Sequence, residues 1–152
     1  MTQPQPGEFA PDFVLDSTDG QVRLSDLRGS KALLIFYQED NTPTCTTQVS
    51  AFADDFDVLQ ELGVRVVAIS VDGLDAHRRF VDKLGGVPFP LASDATLEVA
   101  RMYDVVDDTG KRARRAVFVL DSEGRIALAV PRYSPSNFEQ YEEIYRALGM
   151  DV

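Results

Sequence analysis

The chain has 152 residues, the size of one ordinary domain, and 44% of them are hydrophobic, which is enough to build a core. Its formal net charge of −10 argues against binding to nucleic acids or to anionic membrane surfaces, which attract clustered Lys and Arg. The single cysteine excludes an intramolecular disulfide and any metal site built from several cysteines.

The apolar runs of the sequence are short, and none approaches the roughly 18 residues that a membrane-spanning helix needs. The first residues, MTQPQPGEFAPDF, have neither the basic segment nor the apolar segment of a secretory signal. We therefore expect a cytoplasmic protein made of one domain, residues 1–152, with a loose N-terminus at residues 1–6.

The spacing of apolar residues predicts an alternation of strands and helices along the chain. Thr42 is expected to cap the first long helix, and a capping box from Ser136 to Glu139 is expected to open the last one. This alternation predicts an α/β fold with a central, largely parallel sheet and helices on both faces. The predicted elements are, in order, a strand pair in 13–24, a helical turn at 25–29, a strand at 31–38, a helix at 43–62, a strand at 64–71, helices at 74–86 and 94–105, a strand hairpin at 115–130 and a helix at 136–149.

The only cysteine, Cys45, lies between a predicted strand and a predicted helix, in the segment NTPTCTT. With Thr42 as the cap and Pro43 as the first helical residue, Cys45 becomes the third residue of the helix. A thiolate there is stabilised by the positive end of the helix dipole and by free backbone N–H groups. Cys45 also precedes Val49 by four residues, so it lies on the apolar stripe that faces the sheet. A reactive thiol and an inert core residue are both compatible with this position.

The surroundings of Cys45 favour a functional site. A strand exit followed by a helix start describes the crevice at the carboxyl end of a sheet, where α/β folds place their sites. A dithiol redox motif would need a second cysteine at position 42, where this chain has threonine. The Thr42 hydroxyl cannot form a disulfide, but it can form a hydrogen bond with a thiolate or a small polar substrate. The segment predicts a one-thiol redox site that attacks a small molecule with a good leaving group.

Two other features of the sequence give weaker indications of function. The lone histidine, His77, has no second ligand nearby in sequence and is expected as an exposed or half-buried helix residue. The basic cluster Lys111 to Arg115 is expected to be a solvated loop or a local anion-facing element in so acidic a chain.

Several ordered motifs at matching spacing resemble the peroxiredoxins of the AhpC/TSA family, closest to the bacterioferritin-comigratory or Q-type subgroup. The resemblance covers nearly the whole chain and implies a thioredoxin-like fold, with a central mixed sheet flanked by helices and an N-terminal β-hairpin. The motifs that carry it are APDFVLDSTDGQVRLSDLRG, FYQEDNTPTCTT, ISVDGLDAHRRFVDKLGGVPFPLASDATLEVARMYDV and RRAVFVLDSEGRI.

The resemblance implies that Cys45 is the peroxidatic cysteine and that Thr42 matches the family's threonine three residues before it. The family's arginine lies three residues before a strand phenylalanine, here Phe118, which selects Arg115 over its neighbours Arg112 and Arg114. The implied reaction is attack of the sulfur on a peroxide oxygen, which leaves a sulfenic acid.

Hydrogen-bond donors around the peroxide are then expected to stabilise the transition state. The candidates are the Thr42 hydroxyl, Arg115 and the backbone N–H groups of Cys45 and Thr44. Pro43 and Thr44 are further expected to shape the substrate pocket.

The chain departs from the family pattern at two positions and carries a milder change at a third. Gln38 replaces a proline that helps to shield the cysteine, so the shield is expected either to be looser or to gain a hydrogen bond. Ser50 stands where two-cysteine members have their resolving cysteine, which implies the one-cysteine mode. Gln48, often glutamate in relatives, keeps a polar group behind the site without the charge.

The resemblance predicts a thiol-dependent peroxidase that acts on hydrogen peroxide or small organic hydroperoxides, without a cofactor or metal. An external thiol, either a thioredoxin-like protein or a low-molecular-weight thiol, would reduce the sulfenate, and the protein is expected to be a monomer or a weak dimer. Two alternatives use the same residues differently: a redox sensor that passes oxidation to a partner protein, and an inert thioredoxin-fold scaffold.

Overall fold

Seven strands form one mixed sheet in the computed structural model, which describes residues 3–150. The strands are β1 (Val14–Ser17), β2 (Gly20–Arg23), β3 (Lys31–Phe36), β4 (Val64–Ser70), β5 (Leu91–Ser93), β6 (Ala116–Leu120) and β7 (Ile126–Val130). The helices are α1 (Pro43–Asp54), α2 (Phe56–Glu61), α3 (Leu74–Lys83), α4 (Glu98–Met102) and α5 (Phe138–Ala147), with a 3₁₀ turn at Leu24–Leu27.

The strand order across the sheet is β2-β1-β5-β4-β3-β6-β7. The three central strands, β5, β4 and β3, are parallel, and the outer pairs are antiparallel. The predicted α/β fold, with its mixed central sheet and N-terminal hairpin, is therefore confirmed.

The central strand β3 is apolar throughout because both faces of the sheet are covered. Leu33 and Ile35 point into a core shared with α1, α2, α3 and α5, whereas Leu34 and Phe36 point into a second core shared with α4. Each of these four side chains is fully buried. The carboxyl end of β3 leads into α1, the helix that carries the cysteine.

One predicted helix, residues 43–62, is interrupted at Asp55, where α1 ends and α2 begins. The Asp55 carboxylate accepts hydrogen bonds from the hydroxyls of Tyr141 and Tyr145 on α5. Its backbone (φ −89°, ψ 6°) leaves the helical region at the same point. A short polar residue held by another helix is a poor continuation of a helix, which explains the break.

The helix predicted at 94–105 is shorter than expected because Leu97 adopts a left-handed backbone (φ 62°). The Asp94 carboxylate accepts from the N–H groups of Val99 and Ala100, at 3.2 and 2.9 Å, and so caps the remaining turn. Burial raises the pKa of Asp94. Strand β5, which directly follows Pro90 and has only three residues, was not predicted.

The capping box predicted from Ser136 to Glu139 is wrong by one residue. Asn137 is the N-cap of α5, and its side chain accepts from the N–H of Gln140 at 3.1 Å. The Ser136 hydroxyl instead pairs with that of Ser134 at 3.0 Å. At the other end of the chain, residues 1 and 2 of the expected loose N-terminus lie outside the described residues, and Pro4 is buried.

Candidate active site

Cys45 is the third residue of α1, as predicted, because Thr42 is the N-cap and Pro43 the first helical residue. The first helical hydrogen bond runs from the N–H of Thr46 to the carbonyl of Thr42, at 2.8 Å. The N–H groups of Thr44 and Cys45 therefore precede the helical ladder and keep their donors for another partner. The site lies where a positive helix end meets the carboxyl end of the sheet.

The Thr42 side chain does not cap the helix. Its hydroxyl donates to the carbonyl of Glu39 at 3.3 Å, and no backbone N–H of α1 donates to it within the described chain. This hydroxyl keeps its lone pairs for another donor. Pro43 and Thr44 are exposed at the same helix start.

The Cys45 side chain is fully buried and points towards the sheet, as the helical spacing predicted. It belongs to the core cluster that contains Tyr37 of the strand exit, Val49 and Phe52 of α1, and Tyr133. The Phe52 ring packs on that of Tyr133 with centroids 6.0 Å apart. The sulfur thus lies in a largely apolar environment from which bulk water is excluded.

Arg115 lies immediately before β6, and Gln38 lies two residues after β3. Because β3 and β6 are paired antiparallel neighbours, with Phe36 opposite Ala116, the two side chains leave the sheet at the same place. The Arg115 Nη1 donates to Gln38 Oε1 at 2.9 Å. Its Nε is buried without a hydrogen-bond partner among residues 3–150. Gln38 thus forms a hydrogen bond within the pocket and orients a guanidinium that retains free donors.

The two neighbouring arginines form hydrogen bonds with other groups than Gln38. Arg112 pairs with Glu39 and with Asp107, the latter at 2.9 Å. Arg114 donates to the backbone carbonyl of Val106 at 3.0 Å. Lys111 of the basic cluster is exposed, whereas each of its three arginines has a separate hydrogen-bond partner.

Gln48 lies behind the site and is fully buried. Its Nε2 donates to the carbonyl of Phe36 at 3.2 Å, whereas its Oε1 has no hydrogen-bond partner in the described chain. Ser50 is half-buried within the same continuous helix, α1. Gln48 therefore ties α1 to the end of β3, and the chain has no second thiol to complete a disulfide.

A cavity of about 340 Å³ opens beside Arg115. Three arginines contribute to its wall, together with the Tyr133 ring that packs on α1. The cavity therefore connects solvent with the side of the site where the free donors of Arg115 lie. Its lining residues are Gln38, Asp107, Asp108, Arg114, Arg115, Arg132, Tyr133 and Ser134.

The prediction that His77 is exposed or half-buried is wrong, because its side chain is fully buried. The ring contacts Asp40, in the segment between β3 and α1, with Nδ1 and Oδ2 2.7 Å apart. The sequence analysis also missed Tyr37, whose hydroxyl donates to the same carboxylate at 2.5 Å. The available signal was helical spacing: His77 precedes the buried Phe80 by three residues and therefore shares its inward face.

Among residues 3–150, no group of three or more His, Cys, Asp and Glu side chains is arranged to hold a metal ion. No helix in the same part of the chain is long and apolar enough to cross a membrane.

Comparison with known proteins identifies the family. Residues 6–129 match the AhpC/TSA family, so the chain belongs to that family. A peroxiredoxin of Thermoplasma volcanium is 33% identical over 149 residues, which cover 93% of this chain and 73% of the relative. A bcp peroxiredoxin of Coxiella burnetii is 38% identical over 133 residues, which cover 83% and 87% of the two chains.

Solved structures agree with the fold. A Cys→Ser mutant of peroxiredoxin 6 from Arenicola marina superposes with a TM-score of 0.85 at 27% identity, over 95% of this chain and 72% of that one. A yeast mitochondrial 1-Cys peroxiredoxin gives 0.83 at 28% identity, over 95% and 76%. The expected thioredoxin-like fold is confirmed. The protein is a thiol-dependent peroxidase whose single cysteine fits the one-cysteine mode, and neither the sensor nor the scaffold alternative is favoured.

Proposed function

We propose that Cys45 is the peroxidatic cysteine and that Thr42 and Arg115 are its catalytic partners. The observation that carries the proposal is the position of Cys45, fully buried in the first turn of α1, where backbone N–H groups are free. The orientation of Arg115 by Gln38 supports it. Pro43 and Thr44 form the exposed wall by which a small hydroperoxide enters.

The chemical step is a two-electron displacement. The Cys45 thiolate attacks one peroxide oxygen, the S–O bond forms and the O–O bond breaks. The sulfur is oxidised to a sulfenic acid, and the other oxygen leaves with a proton as water or alcohol. Negative charge moves from sulfur to the leaving oxygen, so donors aimed at the two oxygens stabilise the transition state. The Arg115 guanidinium and the N–H of Cys45 serve this purpose, and the Thr42 hydroxyl orients the peroxide.

Return to the thiol needs an external reductant, because Ser50 occupies the position of a resolving cysteine. One thiol attacks the sulfenic sulfur with loss of water, and a second thiol releases Cys45 from the mixed disulfide. The arginine-walled cavity beside Arg115 supports approach of a low-molecular-weight thiol or of a thioredoxin-like protein. A similar yeast protein was studied for resolution through glutathione and thioredoxin systems, which supports the same class of reductant here.

The proposal extends to a monomer or weak dimer in the cytoplasm. Exposed large apolar side chains belong to separate elements, and the Arg125 guanidinium lies 4.1 Å from the centre of the Phe9 ring. Scattered exposed apolar residues are normal on a monomer.

The test is mass spectrometry of the prereduced protein after one equivalent of hydrogen peroxide, quenched over a time series. We expect the wild type to gain one oxygen at Cys45 within the mixing time, and Cys45→Ser to gain none. Oxidation over hours, as for an ordinary cysteine, would contradict the proposal and support the inert scaffold instead.

A further inference from the structure

Asp40 joins three neighbouring strands at their carboxyl ends. Its carboxylate accepts from the hydroxyl of Tyr37, just after β3, and contacts His77 Nδ1 at 2.7 Å. The other ring nitrogen, Nε2, lies 3.0 Å from the carbonyl of Ala92 in β5. The Asp40 N–H donates to Asp72 Oδ2 at 2.8 Å, just beyond β4. We call these residues, Asp40, His77, Tyr37 and Asp72, the Asp40 clamp.

The donors and acceptors of the Asp40 clamp determine which atoms carry hydrogens. The Ala92 carbonyl can only accept, so His77 Nε2 carries a hydrogen. Tyr37 gives its single hydrogen to Oδ1 of Asp40, and burial, together with the Asp40 charge, raises the pKa of Tyr37 and keeps it a donor. The contact between Nδ1 and Oδ2 needs one more hydrogen, which the ring and the carboxyl group share.

The clamp is buried and lies close in sequence to the cysteine. The His77 side chain is 0% exposed and that of Asp40 is 6% exposed. Asn41, the next residue, has a left-handed backbone (φ 63°), and Thr42 then starts α1. Asp40, held by Tyr37 and His77 through its carboxylate and by Asp72 through its backbone N–H, therefore fixes the turn that sets where α1 begins.

We infer that His77 is a positioning residue for the oxidation of Cys45, acting through Asp40 on the segment that leads into α1. The inference rests on the proposed function of Cys45, because the segment matters only if the first turn of α1 binds the peroxide. Buried hydrogen bonds often add little net stability compared with well-packed apolar residues. These contacts instead select one arrangement of the loop, since moving either partner leaves a buried polar group without its hydrogen bond.

The kinetic test uses rapid mixing with hydrogen peroxide and measures the rate of Cys45 oxidation in folded protein. His77→Gln can donate to Ala92 or to Asp40 but not to both, and Asp40→Ala removes the centre of the clamp. We expect each to slow oxidation roughly 10- to 100-fold, the scale for a small misplacement of reacting groups. The double variant should be no slower than the slower single variant, because both changes break the same unit.

Two further variants separate positioning from general damage. Asp40→Asn can still accept from Tyr37 and can donate to a neutral His77, so it should stay within about threefold of the wild-type rate. Arg78→Gln, next to His77 on the exposed face of α3, is the matched control and should be unchanged. Alkylation of Cys45 by iodoacetamide should not slow in the His77 and Asp40 variants, because it needs access to the thiolate but no aligned peroxide.

His77 is the only histidine, so its ring can be observed directly by ¹⁵N NMR of the wild type. We expect a hydrogen on Nε2, as its contact with the Ala92 carbonyl requires. A ring without hydrogen on Nε2 would overturn the inference, as would folded His77→Gln and Asp40→Ala proteins that oxidise at the wild-type rate. Slow oxidation of the wild type itself would instead refute the function proposed for Cys45.

Discussion

Replacing Arg115 by alanine removes the guanidinium that Gln38 orients and whose buried Nε has no hydrogen-bond partner among residues 3–150. Loss of one transition-state donor typically costs about 10²–10³ in rate, or about 2.7–4 kcal/mol, and we expect that loss for Arg115→Ala. Gln38→Ala removes only the 2.9 Å bond that orients the guanidinium. Because both side chains are half-buried, the lower end of the range for such bonds applies, about 1.5 kcal/mol, which corresponds to roughly tenfold slower oxidation.

The assay is the rate of Cys45 oxidation over a range of peroxide concentrations. The double variant, Gln38→Ala with Arg115→Ala, should be no slower than Arg115→Ala alone, because Gln38 acts through the arginine. Arg115→Lys keeps the charge but loses the planar fork, so it should recover only part of the rate. A thermal melt of each variant checks that the fold is retained.

Arg114→Ala is the matched control, since Arg114 is the adjacent residue and, within residues 3–150, its guanidinium donates to backbone carbonyls. Its oxidation rate should stay within about twofold of wild type, as for most surface changes. A near-normal rate for Arg115→Ala together with a large loss for Arg114→Ala would refute the assignment and transfer the role to Arg114.

Three other changes test separate parts of the structure. Thr42→Val should slow oxidation by roughly 10²–10³ with little change in the thermal midpoint, because this side chain does not cap α1; an unchanged rate would remove Thr42 from the site. Ser50→Cys should form an intramolecular disulfide with Cys45 after peroxide, detected by mass, but more slowly than the first oxidation because α1 must open locally; a persistent sulfenic acid would show that this motion is absent. Burial and Asp55 raise the pKa of Tyr141 to about 12, so the folded state favours its protonated phenol. The free energy of unfolding should therefore fall as the pH rises from about 10 to about 12. This fall should be smaller in Tyr141→Phe.

Helix and strand patterns close in sequence were predictable from the residues alone. The start of α1 followed from the segment Thr42-Pro43, since Pro43 favours the first helical position through its own backbone, although the Thr42 side chain makes no cap hydrogen bond. Burial of Cys45 followed from its four-residue spacing to Val49. Errors arose where distant partners intervened, as at Asp55, which two tyrosines of α5 hold out of the helical path.

The order of most elements, the thiol at a helix start and the lack of a second cysteine can be read from the residues alone, because they depend on neighbouring residues and on composition. The contact between Gln38 and Arg115 cannot be read in this way, since it depends on the pairing of β3 with β6. The same holds for the burial of His77 against Asp40, which needs the carboxyl ends of three strands to meet. The sequence indicates that a polar residue lies on the inward face of a helix, but it does not identify the partner, which comes from a part of the chain distant in sequence.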